Sequence, residues 1–350
     1  MDKVLDKTEK EVTIYDLARI VKVSPATVSR ALRGDTCISK KTKKKINDLA
    51  VELCYQPNRH ACDLRTRKTN LIGVIVHELS SYFMASFLSG IEDEIKDTNY
   101  DLIICHSSDS TTKEVANAKQ LFNRRVDGLI FSLASDTESL SHLDPFIRKN
   151  VPVVFFDRVD PGSPGIKIVI DNYKAGFDAA QHLLQQGCRR LLHVAGSLKR
   201  NVYEERWKGF QDALSSAGLP CTEEQLITSE FSEKASLQTA QKIVQRQKLP
   251  DGIFIANDMC ATICMHAFKK AGIKVPEQIA IVGFNNDPIS RIVEPQLTTI
   301  NYPIREMGIL AAKNLIEQLE CADLGNKNNS VVLRSDLIIR GSTNRVKKAT

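Results

Sequence analysis

The sequence predicts an all-α head joined to a larger α/β body. The chain has 350 residues, more than one ordinary core holds, so we expect two or three compact units. The first 70 residues hold 16 lysines and arginines against 9 acidic residues and carry the whole positive excess of a chain whose net charge is +6. After residue 70, helical periodicity gives way to short apolar strands that alternate with longer helices. A basic head on a near-neutral body favours nucleic-acid binding; on charge alone, the alternative is a solvated basic tail.

Three short helices are predicted in the head, residues 11–57. Thr13 can cap the first helix. Ser24 is a good N-cap for the second helix, and Pro25 suits its first position because the missing N–H is not needed there. Ser39 caps a third helix that carries five lysines in its first turns. Two helices joined by a tight turn, with a third packed across them, form a helix-turn-helix; the alternative is a trihelical fold without a nucleic-acid role.

The second helix is the one that enters the major groove in a helix-turn-helix. Val28 and Leu32 point to the core, so Ala26, Thr27 and Arg30 share the opposite, solvent-facing side. An exposed Ala-Thr-x-x-Arg face and the basic charge of the head together favour DNA binding over the plain trihelical fold.

The body, residues 70–345, is predicted to be an α/β unit with βαβ crossovers. Its apolar runs are continuous rather than alternating, which is typical of parallel strands buried on both faces. Residues 126–131 (VDGLIF) are similar to residues 250–255 (PDGIFI), an echo that fits two similar lobes. The predicted strands cover residues 71–76, 100–107, 126–133, 151–157, 166–170, 190–196, 251–257 and 279–285.

Three stretches of the head resemble the LacI/GalR family of transcriptional regulators. They are residues 12–18 (VTIYDLA), 23–30 (VSPATVSR) and 55–58 (YQPN). The match is long and specific. It implies a helix-turn-helix head that reads an operator and a body that senses an effector.

The resemblance also implies which residues of the head contact DNA. Pro25, Ala26 and Arg30 take the base-reading positions. Arginine can donate two hydrogen bonds to guanine and alanine can touch a thymine methyl group, whereas proline offers apolar contact only. Phosphate contacts, which set register rather than sequence preference, fall on Thr13, Tyr15, Ser24, Thr27, Ser29, Ser39, Thr42, Tyr55 and Asn58.

Residues 58–69 match the hinge helix and linker of the family. There the hinge folds on operator DNA, and a leucine from each subunit wedges into the minor groove. Leu64 takes that position and Ala61 the small position before it. Such a wedge kinks DNA at a flexible step. Without the flanking match, Leu64 would be an ordinary linker or core leucine.

For the body, residues 70–345, the resemblance implies an effector-binding and dimerisation domain with a two-lobed, periplasmic-binding-protein-like (type I) α/β fold. We place one lobe at about 70–170 and 301–330, and the other at about 171–300 and 331–345. Ligands of open α/β sheets sit beyond the carboxyl ends of the strands. The expected effector-binding residues are Tyr82, Phe83, Asp157, Arg200, Arg206, Phe231, Asn257 and Asn285.

The alternative for each of these residues is the capping of a strand end. Asn285 stands where sugar-responsive members often carry aspartate, which keeps hydrogen bonding but removes a charge. Amides, carboxylates and arginines can pair with sugar hydroxyls, and aromatic rings can stack on sugar faces.

The predicted function is a transcriptional regulator, expected to be a repressor. Its affinity for a pseudo-palindromic DNA operator would be controlled by a small ligand, a carbohydrate or derivative, bound between the lobes. One helix-turn-helix reads half a site, so we expect a homodimer. The competing classes are a sugar-binding transport protein, an enzyme, and a regulator that answers to a protein co-regulator instead of a sugar.

Several kinds of chemistry are not expected. The sequence has no phosphate-loop, dinucleotide, nucleophile-elbow or zinc-protease motif, so we predict no enzyme and no cofactor. Cys260-x3-Cys264-x-His266 is read as buried cysteines on an apolar helix and not as a metal site. The N-terminus lacks the apolar region of a secretory signal, no apolar run is long enough to cross a membrane, and the nine cysteines are scattered. We therefore expect a cytoplasmic protein with reduced thiols and no membrane partner.

Overall fold

Residues 12–56 of the head form a bundle of three helices. The computed structural model describes residues 12–56, 68–321 and 328–345, and the chain divides into two compact units, residues 1–69 and 70–350. Leu17, Val28 and Ile46, one from each helix of the first unit, are fully buried against one another. The helices are α1 (Ile14–Val21), α2 (Pro25–Leu32) and α3 (Lys40–Glu52).

Side-chain caps begin the helices of the head as the sequence predicts. The Asp16 carboxylate accepts a hydrogen bond from the Thr13 N–H at 3.0 Å. The Ser24 hydroxyl accepts from the third backbone N–H after it at 3.1 Å, and the Ser39 hydroxyl does the same at 3.2 Å. These contacts satisfy N–H groups that have no partner inside their own helix.

The body contains two six-stranded sheets with the same strand order. The first runs β2-β1-β3-β4-β5-β11 and the second β7-β6-β8-β9-β10-β12. Neighbouring strands are parallel, except that β12 is antiparallel to β10. The strands are β1 (Leu71–Val76), β2 (Asp101–His106), β3 (Gly128–Phe131), β4 (Val153–Phe156), β5 (Ile166–Ile170), β6 (Leu191–Ala195), β7 (Leu226–Thr228), β8 (Gly252–Ile255), β9 (Ala280–Asn285), β10 (Thr298–Asn301), β11 (Ser330–Leu333) and β12 (Asp336–Ile338).

Helices cover the faces of both sheets, so that each lobe is a layered α/β unit. In the described part of the body, 3-10 turns lie at Ser141–Leu143, Glu223–Gln225 and Gly341–Thr343. The helices are α4 (Tyr82–Ile95), α5 (Thr111–Asn123), α6 (Asp144–Arg148), α7 (Asn172–Gln185), α8 (Asn201–Ser216), α9 (Glu233–Val244), α10 (Asp258–Lys270), α11 (Ile289–Ile292) and α12 (Ile304–Glu320).

The chain passes between the two lobes three times, after β5, after β10 and after β11. The third crossing comes after Leu333, three residues later than the boundary near residue 330 that the sequence suggests. The reason is that β11 pairs with β5 and so completes the first sheet before the chain returns to the second.

The two similar stretches, residues 126–131 and 250–255, contain equivalent strands of the two lobes. Strands β3 and β8 occupy the same place in their sheets. The Asp127 carboxylate accepts a hydrogen bond from the Asn70 N–H at 2.7 Å, and Asp251 accepts one from the Arg190 N–H at 2.7 Å. In both lobes an aspartate therefore ties the start of the central strand to the start of its neighbour.

In each lobe, two glycines let a pair of helices approach closely. A Cβ on Gly176 of α7 would lie 2.1 Å from the carbonyl oxygen of Arg206, and one on Gly209 of α8 would lie 2.0 Å from a backbone oxygen of α7. Gly90 of α4 and Gly308 of α12 repeat this arrangement in the first lobe, with backbone oxygens at 2.1 Å. Any larger residue would force these helices apart.

We expect Gly176→Ala to lower the free energy of unfolding by about 1–3 kcal/mol, because the new methyl group must displace the backbone of Arg206. Urea denaturation followed by circular dichroism measures this. Gly162→Ala is the control: its nearest neighbour would be a side-chain oxygen of Asp160 at 3.1 Å in a loop. Equal losses in the two variants would contradict the close-packing argument.

Candidate DNA-binding surface and ligand cleft

One face of α2 is free to meet DNA. Ala26 and Arg30 are exposed and lie one turn apart, while Pro25 is half-buried at the start of the helix. Within the described residues, the Arg30 guanidinium donates no hydrogen bond. Its donors are therefore available to a base edge.

The helices α2 and α3 begin with the same arrangement of hydroxyl groups. The hydroxyls of Ser24 and Thr27 lie 2.9 Å apart, and those of Ser39 and Thr42 lie 2.8 Å apart. Both pairs stand over the first turn of a helix, where free N–H groups and the helix dipole attract phosphate. Four of the expected phosphate contacts are thus brought together in two equivalent sites.

The other expected phosphate contacts are more scattered. Thr13 and Tyr15 are exposed and Tyr55 is half-buried. The Ser29 hydroxyl accepts a hydrogen bond from Arg33 at 3.0 Å, so it is already engaged within α2. Asn58, Ala61 and Leu64 lie outside the described residues.

One lysine of α3 has a structural role that the sequence pattern did not reveal. The Lys43 ammonium donates to the carbonyl oxygen of Gly34 at 2.9 Å, where α2 has just ended. Lys40, Lys41 and Lys44 remain exposed, as does the neighbouring Lys45. The basic face of α3 therefore consists of four side chains and not of all five.

The body encloses a cleft of about 890 Å³ where the carboxyl ends of strands from both lobes meet. This is the position expected for ligands of open α/β sheets. Seven of the eight residues predicted from the sequence line it: Tyr82, Phe83, Asp157, Arg206, Phe231, Asn257 and Asn285.

Two buried residues of opposite charge lie at the base of the cleft. Arg206 and Asp157 are 4% and 5% exposed. Arg206 Nε donates to the Asn172 side-chain oxygen at 2.9 Å, and its guanidinium carbon lies 3.6 Å from the ring centre of Phe284. The Tyr302 hydroxyl donates to Asp157 Oδ1 at 2.9 Å. Burial raises the pKa of Asp157, and the positive charges beside it and the Tyr302 hydrogen bond act against that rise.

Asn172, Phe284 and Tyr302 were missed by the sequence reasoning. Asn172 begins α7 directly after the first crossing between the lobes, and Tyr302 lies in the second crossing. A polar or aromatic residue at a crossing is the signal that could have found Asn172 and Tyr302, whereas Phe284 lies within β9 and its apolar pattern gives no such signal.

Five lining residues have a left-handed backbone that is uncommon for residues other than glycine. The φ angles are 50° at Ser108, 56° at Asp109, 56° at Asp157, 59° at Phe231 and 110° at Asn285. Such conformations cost about 1–3 kcal/mol each and cluster at functional sites. Their occurrence around one cavity favours a binding role over simple strand capping.

Two lining residues also serve the fold. The Asn257 side-chain oxygen accepts a hydrogen bond from the Cys260 N–H at 2.9 Å, so the capping alternative holds for that atom. Phe83 is buried and packs edge-on against Tyr302, with ring centres 5.0 Å apart. Tyr82, by contrast, stands 55% exposed at the rim.

Arg200 departs from the prediction, because it does not line the cleft. Its Nη2 donates to the carbonyl oxygen of Thr137 in the other lobe at 2.5 Å. The next residue, Asn201, accepts a hydrogen bond from the Val159 N–H at 3.0 Å, also across the lobes. Arg200 precedes α8 on the side where the lobes touch, so its guanidinium joins the lobes and does not face the cavity.

Comparison with known proteins identifies the family of this chain. Residues 13–58 match the family of bacterial regulatory proteins of the lacI type, and residues 180–343 match the periplasmic-binding-protein-like domain. The HTH-type transcriptional regulator DegA of Bacillus subtilis (strain 168) is 32% identical over 337 residues, which are 95% of this chain and 98% of DegA. The chain belongs to the LacI family. It is therefore a DNA-binding transcriptional regulator and, like its relatives, not an enzyme.

Solved structures confirm the fold of this LacI-family regulator. The lac repressor dimer bound to operator and the anti-inducer ONPF has a TM-score of 0.84 at 24% identity, covering 95% of this chain and 99% of that one. A LacI-family regulator from Enterococcus faecium with bound ribose has a TM-score of 0.68 at 26% identity, covering 79% and 100%. The predicted helix-turn-helix head and two-lobed α/β body are confirmed. No helix in the described ranges is long and apolar enough to span a membrane.

Two adjacent residues should differ in how much they stabilise the body. Arg200→Ala leaves the buried Thr137 carbonyl unpaired and should cost about 1–3 kcal/mol. Lys199 pairs with Glu138 at 2.8 Å, but both side chains are mostly exposed, so Lys199→Ala should cost less than about 1 kcal/mol. Denaturant unfolding of both variants measures the difference, and a larger loss for Lys199→Ala would refute the role given to Arg200.

Proposed function

We propose that this LacI-family regulator is a cytoplasmic repressor that binds a pseudo-palindromic operator as a homodimer and responds to a carbohydrate or carbohydrate derivative in the cleft. The observation that carries this proposal is the cleft itself. It gathers a buried arginine, a buried carboxylate and two asparagine amides at the strand ends of both lobes.

On the DNA side, Arg30 and Ala26 read bases from α2, and the hydroxyl pairs at the starts of α2 and α3 hold phosphates. Pro25 adds apolar contact beside them. One head covers half a site, which requires a second head for a complete operator. The lac repressor structure, a dimer on its operator, supports this arrangement.

On the ligand side, the proposed contacts are Asp157, Arg206, Asn257 and Asn285 for hydroxyl groups, with Phe231 as a stacking face. A site that forms hydrogen bonds with the hydroxyl groups of its ligand discriminates strongly between similar ligands. A ligand that lacks one of these hydroxyl groups leaves a buried polar group of the protein without a hydrogen-bond partner. The Enterococcus faecium regulator with bound ribose supports a sugar-like ligand. Tyr82 and Phe83 complete the wall nearest the rim.

Ligand and DNA are linked through the angle between the lobes. A ligand that bridges the lobes stabilises one arrangement of the body, and in a dimer this changes the spacing of the two hinge segments, in which Ala61 and Leu64 take the minor-groove positions. The coupling is reciprocal: a ligand that weakens operator binding is itself bound more weakly by the operator complex.

Arg30→Ala should cost about 1–3 kcal/mol on the specific operator and relax the preference at one base pair in each half-site. Lys44→Ala is the matched control, because an exposed lysine that meets phosphate should weaken specific and random DNA alike and reduce the salt dependence. Fluorescence anisotropy with both DNAs at several salt concentrations measures this. Equal losses on specific and random DNA for Arg30→Ala would contradict its base-reading role.

Arg206→Ala should abolish the ligand response and leave operator binding without ligand intact. A thermal-shift screen of sugars, sugar phosphates and nucleobases identifies a ligand, and calorimetry then compares the variants. Arg206→Lys retains the positive charge but not the planar guanidinium with its paired donors. This variant should bind the ligand at least tenfold more weakly than wild type, a loss of about 1.4 kcal/mol in binding free energy. Wild-type affinity in Arg206→Ala would show that the ligand binds elsewhere. If no compound binds, a protein co-regulator becomes the better account.

A further inference from the structure

The cleft holds more negative charge than the positive groups beside it can balance. Two arginines line it, Arg158 and Arg206. Burial lowers the pKa of the third basic group, His77, well below its usual value, so His77 is neutral. Against these stand six carboxylates: Glu78, Asp109, Asp157, Glu230, Glu233 and Asp287.

Both arginines are already matched by carboxylates. Arg158 Nη1 lies 2.6 Å from Asp109 Oδ1. Arg206 lies close enough to Asp157 for its charge to lower the pKa of that carboxyl. Four carboxylates of the cleft therefore have no cation of the described residues beside them.

These four carboxylates are not equivalent. Glu230 and Glu233 are exposed, and Glu233 stands in the first turn of α9, where the helix dipole favours a negative charge. Glu78 and Asp287 are half-buried, so their charges are poorly hydrated. Within the described residues, no cation pairs with either carboxylate of this second pair, and Asp287 is stabilised only by a hydrogen bond from Asn285.

Glu78 and Asp287 belong to opposite lobes. Glu78 follows the end of β1 and Asp287 follows the end of β9, and both line the same cavity. Burial, helped by the charge of Glu78 and opposed by a hydrogen bond from Asn285, raises the pKa of Asp287 to about 6. Two like charges thus oppose each other across the cleft.

A second observation points to a ligand at the same place. Arg206 is 4% exposed and donates only its Nε to a protein partner, Asn172. Its two terminal nitrogens line the cleft without a hydrogen-bond acceptor among the described residues. These free donors face the cleft, where oxygen atoms of a ligand can accept from them.

A metal ion is a poor occupant for the space between the two carboxylates. Within the described ranges, no group of three or more histidine, cysteine, aspartate or glutamate side chains could hold one. A primary ammonium needs fewer protein ligands than a metal ion does. It donates three hydrogen bonds, and two carboxylates can accept two of these.

We propose that the effector carries a cationic amino group, which binds between Glu78 and Asp287, while its hydroxyl groups meet Asp157 and Arg206. The effector class is therefore an amino sugar or an aminated polyol. This inference rests on the proposed function of the cleft as an effector site. The bound amine attracts both carboxylates, which otherwise repel each other across the cleft. Its binding therefore favours closure of the lobes.

Calorimetry on the full-length chain with matched probes tests the inference. The pairs are D-glucosamine with D-glucose and D-galactosamine with D-galactose; N-acetyl-D-glucosamine and glucose 6-phosphate supply a neutral and an anionic counterpart. We expect an amine to bind about 10-fold or more tighter than its matched sugar, the size of a charge-assisted hydrogen bond.

Glu78→Gln and Asp287→Asn keep the shape of each side chain and remove its charge. Each should lower the affinity for the amine about 10-fold and leave the affinity for the neutral sugar unchanged. Glu94→Gln is the matched control, since Glu94 is a half-buried glutamate of the same lobe as Glu78 that does not line the cleft. Melting curves without ligand establish that the variants are folded, and either of the two suffices if the other unfolds.

The possible failures are distinguishable. A neutral or phosphorylated sugar that binds as tightly as the amine, and that needs Arg206, overturns the inference and leaves the proposed function standing. Amine binding that Glu78→Gln and Asp287→Asn do not weaken overturns it as well. Absence of binding by every probe and by every compound of the wider screen overturns both.

Discussion

The burial of two opposite charges, Arg206 and Asp157, at the base of the cleft is the constraint on which the rest of the site depends. Removing two charges from water costs several kcal/mol for each ion, and their attraction offsets this only when the geometry is good and further hydrogen bonds are made. Asn172 and Tyr302 supply those bonds, and Phe284 gives the guanidinium a ring face. Since Asn172 and Tyr302 lie at crossings between the lobes, these hydrogen bonds to the two charges form only when both lobes are folded and joined.

The packing of α7 against α8 affects the position of Arg206 in this site. The carbonyl oxygen of Arg206 lies where a side chain on Gly176 would begin, so the contact between α7 and α8 sets the height of the arginine above the sheet. The same device in the first lobe, with Gly90 and Gly308, sets α4, which carries Tyr82 and Phe83 to the rim of the cleft. Two similar lobes thus bring different side chains to one cavity by the same close contact between helices.

The sequence predicts the parts of the fold that local pattern controls. The strands at 71–76 and 166–170 are predicted to the residue. The first is a continuous apolar run, which suits a strand with both faces covered, whereas the second contains Lys167 and is buried at alternate residues. Strands β7, β10, β11 and β12 were missed, since they are short and some are polar. In β10, for example, Thr298 and Thr299 are fully buried because their hydroxyl groups make hydrogen bonds to residues that are distant in the sequence.

The position of Arg200 was predicted wrongly for a related reason. A residue that follows the end of a strand can turn its side chain into the cleft or across to Thr137, and the sequence does not show which. Charge opposition between lobes, as for Glu78 and Asp287, is likewise a property of distant residues.

Two sets of contacts act in opposite directions on the angle between the lobes. Residues 199–201 join them through a buried hydrogen bond, backbone contacts and a surface ion pair, and these contacts need no ligand. Glu78 and Asp287 repel each other across the cleft as long as both are ionised. Because one set favours closure and the other resists it, their contributions to the free-energy difference between open and closed arrangements partly cancel. A ligand can shift an equilibrium only by its differential affinity for the two states. In the proposed coupling, a ligand that bridges the cleft adds its differential affinity to this partial cancellation and so changes how the two heads of a dimer meet their operator.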